Sequence, residues 1–162
     1  MFLPYRLDTT PTVSPVSNYL TIFLTIAIYA LVDRGIGSPD TFVLDGWNIS
    51  IITHILMHGD WLHLLFNMYY LFIFGNLLCA RIGNATFPAV YLTLATGAAM
   101  AQIIFGELPA VGASGAVFGV IGLFLYFYPN TKVKCVYVFR GFRTAIIPSY
   151  LLILFWFVSD IM

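Results

Sequence analysis

The stretch HILMHGDWLHLLFNMYYLFIFGNLLCA, residues 54–80, decides the fold. From Trp61 to Ala80 it carries no Asp, Glu, Lys or Arg. A helix of roughly 20 mostly apolar residues crosses about 30 Å of hydrocarbon. The run therefore predicts a membrane span near 61–80, with His63 and Asn67 held at or within the bilayer. Polar side chains at that depth are costly and mark candidate functional positions.

Working outward, further spans are expected near 18–33, 87–106, 114–128 and 145–161, making five. The fold class is thus all-α, a polytopic transmembrane helix bundle. Composition agrees: 60% of the 162 residues are hydrophobic and 9% are charged, against about 25% charged in soluble domains. A lipid bilayer is the expected surrounding. Seven Lys and Arg balance seven Asp and Glu, so no basic excess points to nucleic acid. Cys79 and Cys135 lack a metal or redox spacing and read as ordinary thiols.

The start, MFLPYRLDTTPTVSPVSN, is polar and Pro-rich and lacks the pattern of a cleaved secretory leader. It is expected to remain as a mostly irregular cytoplasmic arm over 1–17, ahead of a membrane domain over 18–162. The connection 34–60 opens with turn signals in RGIGSPD and becomes amphipathic in WNISIITHILMH, which suits an interfacial or dipping segment. With five spans and the N terminus inside, Arg6, Arg81, Lys132, Lys134, Arg140 and Arg143 fall inside and only Arg34 outside. That asymmetry obeys the positive-inside rule and orients the chain. A multi-pass protein of a bacterial plasma membrane or its equivalent is expected.

All three histidines, His54, His58 and His63, precede Asn67 in one stretch. His54 and His58 are four apart, as are His63 and Asn67, so each pair shares a face wherever its segment is helical. Hydrogen bonding between neighbouring helices is the bland account of such groups. The i, i+4 histidines also have the spacing of HExxH zinc proteases, but HILMH lacks the Glu that would serve as base. A transporter would spread polar groups along a pathway, whereas these cluster at one depth.

The second constellation is VGASGAVFGVIG, residues 111–122, where the fourth span begins. A helix starting there aims its unpaired N–H groups and positive dipole end at the Ser114 region, which suits a developing oxyanion. Gly112 and Gly115 flank that serine region and let other backbone approach it. Gly115, Gly119 and Gly122 form a small-residue stripe for helix packing.

HILMHGDWLHLLFN followed by GASG resembles the rhomboid family of intramembrane serine proteases, whose second membrane helix carries HxxxHxxxxHxxxN and whose fourth begins with GxSG. The resemblance runs from about residue 18 to the end and includes Gly83, where that family's second helix ends. It implies Ser114 as nucleophile, with His63, Asn67 and the Ser114 backbone N–H stabilising the oxyanion. His54 and His58 become structural or water-organising. The implied activity is cleavage of transmembrane protein segments near the outer face, with no metal and no organic cofactor.

Three departures accompany the resemblance. The family draws its general-base histidine from a sixth helix with an AHxxG-like motif, and no histidine follows His63. Five of six core helices are thus expected, a C-terminal truncation, inactive alone and leaving the glycine stripe without its small-residue partner. The alternative is a non-catalytic pseudoprotease or scaffold that binds transmembrane segments. The Trp-Arg pair common before the first histidine is replaced by NISIIT, and Cys79 stands where many members place Glu.

Overall fold

The computed structural model describes residues 2–106, 108–138 and 142–151. Four helices form its frame: α1, Val16–Asp33; α2, Trp61–Ile82; α3, Phe87–Phe105; and α4, Ser114–Phe127. The first three are long and apolar enough to cross a membrane, and α4 is a shorter apolar helix. Their termini lie within a few residues of the predicted spans, because apolar runs of this length have no other way to satisfy their backbone in lipid.

Consecutive helices run antiparallel. Trp61 at the start of α2 donates its indole N–H to Asp33 at the end of α1, at 3.2 Å, and Tyr29 packs edge-on against the same indole. At the opposite end Asn84, just past α2, accepts from the Ser17 N–H at 2.9 Å. α2 is the buried centre, with Leu71, Phe74, Leu77 and Leu78 in the core, whereas Phe23 on α1 is 67% exposed on the lipid-facing side. Asp60 caps α2 by accepting the His63 N–H at 2.7 Å. Gly83 ends it at φ +92°, a left-handed conformation that favours glycine.

Inside α2 the turn Leu71–Gly75 widens to a π-helix. Asn18 of α1, fully buried, donates from Nδ2 to the Leu71 carbonyl at 3.0 Å and to Asn76 Oδ1 at 2.8 Å. A Cβ on Gly75 would lie 2.9 Å from Asn18 Oδ1, so glycine is what lets α1 approach here.

Three expectations are corrected. The N-terminal arm is not mostly irregular: Phe2–Leu7 is a strand, β1, in a three-stranded antiparallel sheet of order β1-β2-β3 with Lys132–Val138 (β2) and Phe142–Pro148 (β3). Proline is tolerated at Pro4 because β1 is an edge strand with a bulge beside it. The fifth span does not begin at 145, since β3 runs to Pro148 and helix is seen only over 149–151; the rest of that span lies outside the described residues. The sheet joins a bundle that is otherwise helical as expected. Finally, the glycine stripe does not await a sixth helix. Cβ atoms built on Gly115 and Gly119 would lie 2.5 Å from Ala98 Cβ and 2.8 Å from Leu94 Cδ2, so both glycines already pack on α3, while no described residue lies within 4 Å of a Cβ on Gly122.

Candidate functional site

Three segments distant in sequence meet at the end of the bundle where α4 begins. Leu44 and Ala110 exchange backbone hydrogen bonds of 2.8 and 3.0 Å, and the Gly112 N–H donates to the His54 carbonyl at 3.0 Å. The long connection between α1 and α2 is thereby fastened to the segment leading into Ser114. That connection folds as short helical turns, Ser50–Thr53 and His54–Leu56, and then becomes extended at Met57. The shared face expected for His54 and His58 therefore does not form, because the helix stops between them.

His63 and Asn67 do share a face, one turn apart on α2, with Asn67 Nδ2 donating to the His63 carbonyl at 2.9 Å. The His63 ring lies against Gly112. A Cβ on Gly112 would sit 2.9 Å from His63 Cε1 and 3.1 Å from Nε2, and Gly112 has φ +117°. Glycine is required twice over, by the backbone conformation and by the approach of the imidazole.

His58 is 1% exposed and supports the serine loop from behind. The Ala113 N–H donates to its Nε2 at 3.4 Å, which puts the ring proton on Nδ1, and Nδ1 has no partner among the described residues. His58 also packs edge-on against His63, with centroids 5.1 Å apart. Burial first, and then the neighbouring His63, push its pKa down to about 4. Burial also lowers that of His54, partly offset by backbone carbonyls, and His54 Nδ1 donates to the Ser50 carbonyl at 3.0 Å.

These shifts predict an acid-sensitive fold. A histidine whose folded pKa lies below its ordinary 6.5 takes up protons on unfolding, so its stabilisation is intact above pH 6.5 and is lost as pH falls toward 4. The unfolding temperature in detergent is expected to fall across that window and level off below it. His58→Gln should flatten most of this limb. An equally steep limb in the variant would assign the effect elsewhere.

Ser114 is the first residue of α4, half-buried, and the first intrahelical bond runs from the Val117 N–H to the Ala113 carbonyl at 2.9 Å. The N–H groups of Ser114, Gly115 and Ala116 thus have no intrahelical acceptor, and among the described residues no side chain caps them. This is the electrostatic setting an oxyanion needs. Ser114 also opens onto a cavity of about 150 Å³ bordered by His54, Gln102, Ala98, Gly112 and Gly115. That volume holds several waters beside the hydroxyl. Gln102 was not singled out from the sequence. Its signal, a lone amide near the end of an apolar helix, is of the same kind as that of Asn67.

Among the described residues no histidine hydrogen-bonds Ser114 Oγ. The site unites Ser114, Gly112, Gly115, His54, His58 and His63, with Asn67 one turn deeper on α2. His54 shares the cavity with Ser114, whereas His58 and His63 lie against the Gly112–Ala113 backbone.

A family model, the Rhomboid domain, matches residues 45–162. The chain is 30% identical over 124 residues to rhomboid protease GluP of Bacillus subtilis, covering 69% of this chain and 24% of that protein. It is 35% identical over 92 residues to the mitochondrial Rhomboid protein 1 of Saccharomyces cerevisiae, covering 52% and 27%. To the putative rhomboid protease YdcA of Bacillus subtilis it is 37% identical over 78 residues, covering 47% and 39%. The chain thus matches between about a quarter and two-fifths of the length of these relatives.

Proposed function

Because the chain belongs to the rhomboid family and is an integral membrane protein, we propose that it is the core of an intramembrane serine endopeptidase that cleaves transmembrane protein segments with Ser114 as nucleophile. The observation that carries this reading is the placement of Ser114 at the uncapped start of α4, beside the Gly112 backbone that receives His63.

In this reading the carbonyl of a scissile peptide sits over the start of α4. Ser114 Oγ attacks its carbon, and the resulting oxyanion is met by the Ser114 N–H, the His63 imidazole and the Asn67 amide. One such donor contributes on the order of 2.7–4 kcal/mol. His58 holds the Ala113 backbone and the His63 ring, while His54 and Gln102 border the cavity from which hydrolytic water is drawn. The positive-inside charge pattern puts this end of the bundle outside and the N terminus in the cytoplasm.

A serine also needs a base to take its proton. No histidine follows His63, and the three present are committed to the second helix and its preceding loop. We therefore assign no turnover to these 162 residues by themselves. The second reading is a non-catalytic protein that binds transmembrane segments.

Fusing a histidine-bearing sixth helix from a family member to the C terminus separates the two. The fused chain should be labelled by a fluorophosphonate probe and cleave a model transmembrane substrate in liposomes, the unfused chain should do neither, and Ser114→Ala should abolish both in the fusion. Labelling that survives Ser114→Ala would remove the nucleophile assignment. A correctly folded fusion that is never labelled would support the non-catalytic reading.

A further inference from the structure

The sheet at the far end of the bundle from Ser114 has two unlike faces. Leu7, Val133 and Cys135 are buried against the helices, with Ile147 packed beside them. Because side chains alternate along a strand, Lys132 and Lys134 point the other way. The register sets Arg6 directly opposite Lys134, which in turn pairs with Ile146. Arg6, Lys132 and Ile146 are exposed and Lys134 is half-exposed.

Like charges placed directly opposite across an antiparallel pair destabilise it. Among the described residues no carboxylate pairs with these cations. Asp8, the nearest acid in sequence, accepts the Lys132 backbone N–H at 3.1 Å and the Thr9 hydroxyl. With no counter-charge among the described residues, Arg6 and Lys134 stand side by side and open to an anion from outside.

The tethers say where that anion lies. Eight residues separate β1 from α1, four separate α4 from β2, and helix resumes at residue 149, directly after β3. Tyr69 on α2 donates its hydroxyl to the Pro4 carbonyl, fastening β1 to a membrane helix. The sheet is therefore held against the bilayer surface. Exposed Tyr5 and Ile146 flank the cations, as amphipathic and apolar side chains do at headgroup depth.

We propose that the outer face of this sheet is a binding site for anionic phospholipid headgroups, with Arg6 and Lys134 as its centre and Lys132 at its edge. The proposal needs only membrane insertion and is independent of the chemistry at Ser114. Each surface cation contributes roughly a factor of five in binding to an anionic membrane, so removing two should weaken it on the order of thirtyfold.

The test uses the full chain, delipidated in neutral detergent and titrated with phosphatidylglycerol or phosphatidylcholine, with bound lipid counted by native mass spectrometry. The parent should bind phosphatidylglycerol preferentially, the Arg6→Gln/Lys134→Gln double variant should lose that preference, and Arg34→Gln at the opposite end should retain it. As a second readout, phosphatidylglycerol should raise the unfolding temperature of the parent and not that of the double variant. Without lipid the double variant should be at least as stable as the parent, because the like-charge pair is gone. Equal phosphatidylglycerol binding by parent and double variant would overturn the proposal, as would a soluble poly-glutamate peptide that binds more tightly than the lipid.

Discussion

In the chain supplied with a histidine-bearing helix, Gly112→Ala is expected to slow fluorophosphonate labelling by on the order of 10²–10³, the size of effect seen when one oxyanion donor is removed. Alanine at φ +117° is strained whatever space surrounds it, and strain in such regions costs about 1–3 kcal/mol. The added methyl would also lie 2.9 Å from the His63 ring, which has to swing away. Its displacement disturbs His58 through their 5.1 Å edge-on packing, and with it the Ala113 N–H that fixes the entry into α4. The fold should survive, with unfolding free energy lower by about 1–3 kcal/mol. Gly97→Ala is the control, since nothing lies within 4 Å of a Cβ there. Unchanged labelling in Gly112→Ala would mean that His63 does not act where its ring is seen.

Asn18→Ala is expected to carry the largest stability loss. Its amide bridges α1 to both Leu71 and Asn76 in the most buried part of the bundle. Removing it leaves two acceptors without their donor where no water can reach them, at about 1–3 kcal/mol each. The loss should therefore be about 2–6 kcal/mol, read as reversible unfolding in detergent mixtures. An Asn18/Asn76 double-mutant cycle should return a coupling of about 0.5–3 kcal/mol. Additive effects would mean that the 2.8 Å contact between them carries no stability of its own.

The two variants report on different parts of one scaffold. Asn18 holds α1 on the widened turn of α2, which keeps α2 in place behind the serine loop. Gly112 tunes that loop against a side chain of α2. A large stability loss is thus expected from a residue far from the site, and a large reactivity loss from one that hardly moves the fold.

Much of the frame was legible in the sequence. Hydropathy over about 20 residues located α1, α2 and α3, since an apolar run of that length has one economical structure in lipid. The pairing of His63 with Asn67 followed from helical periodicity, and Ser114 at the head of α4 from where the fourth apolar run begins. The same local rule does not apply to His54 and His58, because the helix between them ends at Leu56. The sheet had a local signal too, the alternation of Lys132, Val133, Lys134 and Cys135, but it is short and lies between two strongly apolar runs.

By itself, the sequence determined that this protein is a membrane bundle and, to within about two residues, where α1 to α4 lie, with Trp61, Phe87 and Ser114 at the heads of α2, α3 and α4. Those properties depend on hydrophobicity and spacing within one segment. Only the tertiary structure decided that Gly112 receives His63, that His58 accepts from Ala113, that Gly115 and Gly119 pack on α3, and that Arg6 stands opposite Lys134. Most of these contacts join separate segments of the chain, and the last joins the N-terminal strand to the strand that follows α4. Register and close approach between distant segments are set by the packing of the whole, which no local pattern encodes.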